Sequence, residues 1–238
     1  YWIFSATFKS SGEMLRFPPT LFPEKITLEN LVKVFTNSRV FGPRPFLNSL
    51  IISLGGASLT AVLGFLGGYG FARFRFPGRD TLLLVMLFIN LIPRHATVIP
   101  IFRMFSFYGL YDTYLGLILL HGISVAPFAA WLLKGYIDTI PVELDESAMI
   151  DGCSRIGIWW RIFLPLSKPA LASVAIFSFQ GEWNDFYWPL ICLTSIEKFT
   201  LALGINMFRS NFPYDVTPVH LMMAMAFLMA IPVIVVFF

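Results

Sequence analysis

The sequence predicts an all-α integral membrane protein: a six-helix transmembrane bundle, its first helix truncated, with a helix-turn-helix lying outside the bilayer. Three observations carry this. Hydrophobic residues make up 57% of the chain and charged residues 13%, about half the charged share of a water-facing domain. Mean hydropathy is +0.73. The apolar residues also gather into runs of about 20, the length a helix needs to cross a hydrocarbon core about 30 Å thick. The same composition argues against other classes. A formal charge of +3 is too small to point to nucleic acid. Cys153 and Cys192 lie far apart with no metal-ligand spacing and read as small apolar residues.

Five runs have spanning length: 46–72, 81–102, 114–133, 170–193 and 219–238. The stub at 1–8 reads as the tail of a sixth span, so the chain is expected to be cut at both ends. No charged n-region or cleavage site marks YWIFSATFK as a signal peptide. Six spans put both termini of the full chain on one side. In the 46–72 run, Gly64, Gly68 and Ala72 recur every four residues, a small-residue face for close helix packing. The 81–102 run is interrupted by Pro93, Arg94 and Pro100. Such breaks survive only where protein or a water-filled cavity satisfies the freed backbone groups. Met222, Met223, Met225 and Met229 in the last run read as adaptable packing.

Orientation rests on the short loop 73–80, where Arg73, Arg75 and Arg79 crowd together and mark the inside. Alternation then places 134–169 inside too, with Lys134, Arg155, Arg161 and Lys168. The opposite segment 9–45 carries six basic residues of its own, so a raw count of charges does not decide.

Residues 139–169 form a polar island between two apolar runs. Pro141 suits the first turn of a helix. Glu143, Asp145 and Glu146 follow, well placed against a positive helix N-terminus. Gly152 offers a left-handed stop, and Ser154 can cap a second short helix. In that helix Ile156, Trp159, Trp160 and Phe163 make an apolar stripe, ended by Pro165 and Pro169. A plain connector needs no such order. Two readings remain from the residues alone: a docking element for a partner, or an interfacial helix with none.

Glu146, then Gly152, then nine residues, then Ile162-x-Leu164-Pro165 resembles the EAA signature of ABC importer permease subunits. Ala148 and Asp151 match it as well. Ser147 and Cys153 stand where Ala is usual, and Trp159 stands where Phe is usual. FLNSL at 46–50, GYGFARFRFPGR at 68–79 and EWNDFYWPL at 182–190 narrow the likeness to the sugar-importing branch, with its maltose-transporter-type second permease. The resemblance implies that the island is a cytoplasmic coupling helix seated in a cleft of an ATPase subunit. It implies a sister permease, two ATPase subunits that bind ATP and Mg, an extracytoplasmic solute-binding protein, and a carbohydrate substrate. It also implies a multi-pass place in a bacterial or archaeal inner membrane, with no cofactor on this chain and no enzymatic activity of its own.

Near the middle of the 170–193 run stand Gln180, Glu182, Asn184 and Asp185, roughly 15–22 Å from its inner start at 1.5 Å per residue. Ionisable groups at that depth are costly and face a bundle interior or an aqueous path. Trp183, Phe186, Tyr187 and Trp188 surround them. The set Glu182, Trp183, Asn184, Asp185 and Trp188 is therefore a candidate translocation path or gate. One reading has it touching sugar hydroxyls and C–H faces; the other has it pairing with neighbouring helices. Lys198, in the next outer loop, is expected to meet water.

No phosphate-cradling G-x-x-x-x-G-K-[ST] loop is present. His95, His121 and His220 are scattered and read as packing or hydrogen-bonding residues. A secondary transporter would show paired broken helices in two repeated halves, and the sequence has no convincing repeat. An intramembrane enzyme would show a nucleophile or metal cluster on neighbouring spans. Within the importer reading, a glycerol phosphodiester or polyol-like solute is the alternative substrate.

Overall fold

The structure, a computed structural model, describes residues 1–14, 16–36, 43–210 and 219–237. Every regular element among them is helical. In chain order they are α1 (Trp2–Thr7), α2 (Ser11–Met14), α3 (Glu29–Thr36), α4 (Pro43–Arg73), α5 (Arg79–Ile89), α6 (Val98–Phe107) and α7 (Tyr114–Ile137). Then come α8 (Glu143–Ile150), α9 (Arg155–Ile158), α10 (Leu164–Leu166), α11 (Lys168–Trp183), α12 (Tyr187–Cys192), α13 (Leu201–Ser210) and α14 (Val219–Phe237).

Among the described residues α4, α7 and α14 are each long and apolar enough to cross a membrane, and up to five spans result if each of two bent pairs counts as one. The 81–102 run is not one helix. Helix α5 stops at Ile89, and the path turns by 91° into Arg94–Phe107. Pro93 causes this: it lacks an N–H, and it disfavours helical geometry at Ile92. Pro100 falls in the first turn of α6, where a missing donor costs nothing. The 170–193 run is also shorter than expected. Helix α11 has 16 residues, about 24 Å, less than a full hydrocarbon core. It meets Arg155–Leu166 at 75°.

Contacts divide the chain into two compact units. One holds Ile52–Leu110 and Leu115–Glu182; the other holds Tyr1–Ile51, Tyr111–Tyr114 and Trp183–Phe238. In the first, the small-residue face of α4 lies directly on α7. A Cβ on Gly64 would fall 2.5 Å from Ala129 Cβ, and one on Gly68 would fall 2.9 Å from Leu133 Cβ. Only glycine lets these backbones approach so closely. Phe65, Tyr69, Leu133, Ile137, Ala148, Ile158, Phe163 and Val174 share one core. The polar island is thus packed into the same apolar cluster as α4 and α7.

In the second unit α14 packs against α1, α3 and α13. Phe4 and Phe8 meet Phe227 edge-on, at 5.7 and 5.8 Å between ring centroids. Asn30 Nδ2 donates to the carbonyls of Thr7 and Lys9 at 2.8 and 2.7 Å, satisfying oxygens that the end of α1 leaves open.

Candidate functional site

The island is built by local rules. Helix α8 carries Glu143, Asp145 and Glu146 in its first turn, against the positive end of its dipole. Pro141 lies just before the helix rather than inside its first turn. At the other end Gly152 takes φ +79°. Gly152 N–H donates to Met149 O at 3.1 Å and Cys153 N–H to Ala148 O at 2.9 Å. That double bond pattern around a left-handed residue is a Schellman stop. Ser154 then caps α9, its Oγ accepting from Gly157 N–H at 3.1 Å.

Pro165 does not end the second helix. Residues Trp159–Phe163 form a wide π turn, in which Leu164 N–H donates to Trp159 O. In a regular α-helix the Pro165 ring would strike the Arg161 carbonyl; the wider turn makes room for it. Helical structure runs on through α10 to Leu166, and Pro169 sits in the first turn of α11.

The apolar stripe splits between two faces. Ile158 and Phe163 are buried, while Ile156 is 79% and Trp160 60% exposed. Trp159 lies between, tilted against Phe65 at 5.1 Å and Trp160 at 5.5 Å. Among the described residues its indole N–H is buried with no hydrogen-bond partner. Ala148 belongs to the core, and Ile162 and Leu164 are half-buried against it. Glu146, Asp151, Gly152 and Pro165 are exposed, as is Ile150 at 86%. The exposed residues of the island therefore include apolar Ile150, Ile156 and Trp160 together with acidic Glu146 and Asp151.

A pairing that the sequence did not reveal fixes this island to α4. Arg73, the last residue of α4, brings Nε to 2.6 Å from Asp145 Oδ2, with both side chains buried. Its Nη2 donates to Ile140 O at 2.7 Å, and its guanidinium lies over the Phe163 ring at 4.9 Å. Burial pushes the Asp145 carboxyl above its usual range, and Arg73 offsets only part of that. Arg155 lies over Phe74 at 5.2 Å.

The polar residues expected in mid-span are divided by the end of α11. Glu182 is buried in the first unit, where Oε1 accepts from Ser178 Oγ at 2.8 Å. Its carboxylate lies so close to α4 that a Cβ on Gly56 would fall 1.9 Å from Oε2. Trp183, Asn184, Asp185 and Trp188 belong to the second unit. Trp183 is buried, donates to Met229 O at 2.8 Å and meets Phe46 edge-on. Asn184 is exposed and lies beyond the helix. Asp185 caps α12 by accepting from Tyr187 and Trp188 N–H at 3.1 and 3.3 Å. Trp188 is buried, edge-on to Tyr187. Asp185 and Trp183 thus have structural partners within their own unit.

Lys198 does not stand free in water. Its Nζ donates to the backbone oxygen of Asp112 at 2.6 Å and pairs with Oδ2 at 3.0 Å. Asp112 also accepts from Thr194 N–H and Ser195 N–H at 2.9 and 3.1 Å and from Ser195 Oγ. Burial raises the Asp112 carboxyl, but these donors together outweigh it and hold the group well below the ordinary carboxylate range.

Comparison with known proteins agrees with this architecture. Residues 60–238 match the family described as "Binding-protein-dependent transport system inner membrane component". The inner membrane ABC transporter permease protein YcjP of Escherichia coli (strain K12) is 36% identical over 97% of this chain and 81% of its own length. The diacetylchitobiose uptake system permease protein NgcG of Streptomyces coelicolor is 34% identical over 90% of this chain and 70% of its own. The maltodextrin transport system permease protein MdxG of Bacillus subtilis is 36% identical over 81% and 69%. A bacterial ABC transporter involved in import of the acidic polysaccharide alginate shares the fold, with a TM-score of 0.86 and 22% identity over 99% of this chain and 86% of that one. The relatives are transporter permease subunits, not enzymes. Helices of spanning length, a capped helix-turn-helix and the family match lead to one conclusion: this chain belongs to the inner membrane permease components of binding-protein-dependent ABC transporters.

Proposed function

We propose that this chain is a membrane-spanning permease subunit of an ATP-driven importer for a short oligosaccharide. It forms the path with a sister permease, and two ATPase subunits bind ATP and Mg. An extracytoplasmic solute-binding protein delivers the sugar. The bundle has six spans, with α1 in the first and each bent pair serving as one. The observation that carries this reading is the island: a helix-turn-helix locked to α4 through Arg73 that leaves Ile150, Ile156, Trp160, Glu146 and Asp151 exposed. In it Glu146, Asp151 and Gly152 face the ATPase, while Ala148, Trp159, Ile162, Leu164 and Pro165 hold the motif's shape. Glu182, Trp183, Asn184, Asp185 and Trp188 border the path or its gate. The sugar class follows from the relatives, whose names specify diacetylchitobiose, arabinooligosaccharides and maltodextrin.

The test is reconstitution in liposomes with each partner omitted in turn. The complete assembly should take up sugar only with ATP and binding protein present. Saturable, ATP-independent uptake by the purified chain alone would overturn the reading.

A further inference from the structure

In the unit containing α5, α6 and most of α7 and α11, a cavity of about 210 Å³ lies between α7, α11 and the break ahead of α6. Its lining includes His121 and Phe128 from α7, Phe177, Ser178 and Glu182 from α11, and Arg94 from the break. His121, Ser178 and Glu182 are all more than nine-tenths buried, at 7%, 4% and 5% exposure. Phe128 and Phe177 are open, at 48% and 61%. Arg94 follows Pro93, beyond an α5 that rises about 16 Å from Arg79, and Glu182 lies about 21 Å along α11 from Lys168. Arg94 and Glu182 both fall inside apolar runs of spanning length, where ionisable groups face an aqueous path or a bundle interior.

We propose that this cavity is a sugar subsite on this chain itself, holding one neutral sugar ring of the passing oligosaccharide. The inference rests on the importer reading and adds where the sugar is held. The volume equals that of about seven waters, which is room for one ring and not for two. Carboxylate and imidazole accept hydroxyl hydrogens, and the guanidinium donates to ring or hydroxyl oxygens. The two phenyl faces suit the C–H side of a ring. Arg94 and Glu182 balance in charge, so a neutral ring is favoured over a uronate.

The experiment uses the full complex in liposomes with diacetylchitobiose, maltotriose and arabinotriose as labelled probes. A Cβ on Gly181, which also lines the cavity, meets nothing within 4 Å. Gly181→Trp is therefore expected to fill the cavity without disturbing the fold. It should abolish uptake while membrane level and ATPase assembly stay normal. Phe177→Ala should raise KM about tenfold with kcat little changed, the pattern of a lost binding contact. In Gly181→Cys, the transported probe should slow thiol labelling. If the wild-type complex moves none of the three probes with ATP, the sugar-importer reading falls and this inference falls with it. If the wild-type complex transports and Gly181→Trp transports equally well, or if no transported probe protects Gly181→Cys, the subsite alone is wrong.

Discussion

Gly152 is the point on which the island turns, and its constraint is conformational. A Cβ there would meet nothing within 4 Å, yet φ is +79°. A side chain costs roughly 1 kcal/mol or more in that region, least for Asp or Asn. Gly152→Asp should therefore keep the turn but set a second carboxylate beside Asp151. The expected result is a normal membrane level with weak ATPase assembly and no substrate-stimulated hydrolysis. Ser154→Ala, losing a cap of about 1 kcal/mol, should remain partly active. If Gly152→Asp assembled and transported normally, the island would not be the ATPase contact. Trp159 gives a second prediction. Its buried indole N–H lacks a partner among the described residues, and an unmet donor costs about 1–3 kcal/mol. Trp159→Phe removes the donor and keeps a ring against Phe65, so thermal stability of the purified permease should stay level or rise; a clear fall would show that the N–H is satisfied. Gly152 and Ser154 were legible in the sequence because both obey rules spanning four or five residues. That Ile156 and Trp160 lie on the open side was not legible, because a stripe at three- and four-residue spacing does not say which side of a short helix meets the core.

Among elements, the tie between α4 and α8 matters most. The Arg73–Asp145 pair is buried on both sides, and burial already works against the charged carboxylate. Removing one partner of such a pair typically costs 3–5 kcal/mol, because the other charge is left uncompensated. Arg73→Leu should therefore lower the melting temperature and uncouple ATP hydrolysis from transport. Adding Asp145→Leu should recover most of the stability and leave the uncoupling in place. If the double variant recovered neither, the damage would lie in lost packing on Phe163. The loop clasp at Asp112 has a pH signature. Its carboxyl is held below the unfolded value of about 3.9, so the stabilisation is complete above that value and is lost as pH falls toward the folded one. Corrected for the intrinsic pH dependence of amide exchange, hydrogen exchange of residues 193–199 should stay flat from pH 8 to 5 and quicken only below about pH 4. In Asp112→Asn it should be fast throughout. Neither pairing was visible in the sequence. Arg73 read only as a basic residue of the inner loop, Asp145 only as an acid at a helix N-terminus and Lys198 as a solvated charge, because the partners lie far apart along the chain.

At the scale of the whole molecule, hydropathy located the apolar runs and Pro93 marked the break in one of them, but the early stop of α11 was not legible. Pro93 and the polar end of α11 turn two runs into bent or shortened helices, since backbone geometry, not mean hydropathy, decides where a helix stops. Both α4 and α11 contribute to each of the two units, and within the first unit they meet where Glu182 faces Gly56. A Cβ at Gly56 would lie 1.9 Å from Glu182 Oε2 and 2.5 Å from its carboxyl carbon. Gly56→Ala must therefore displace the carboxylate from Ser178 or push the helices apart. Because Glu182 is buried, a displaced carboxylate has few substitute partners at that depth. We expect Gly56→Ala to reduce transport strongly while the ATPases still assemble on the island, since that motif lies elsewhere on the chain. Shortening the acid should relieve the clash: Gly56→Ala with Glu182→Asp should transport better than Gly56→Ala alone. Uptake and ATP hydrolysis measured side by side for both variants decide it. If Gly56→Ala transported as wild type, the α4–α11 approach would be loose enough to absorb a methyl group, and Glu182 would not be held by this contact.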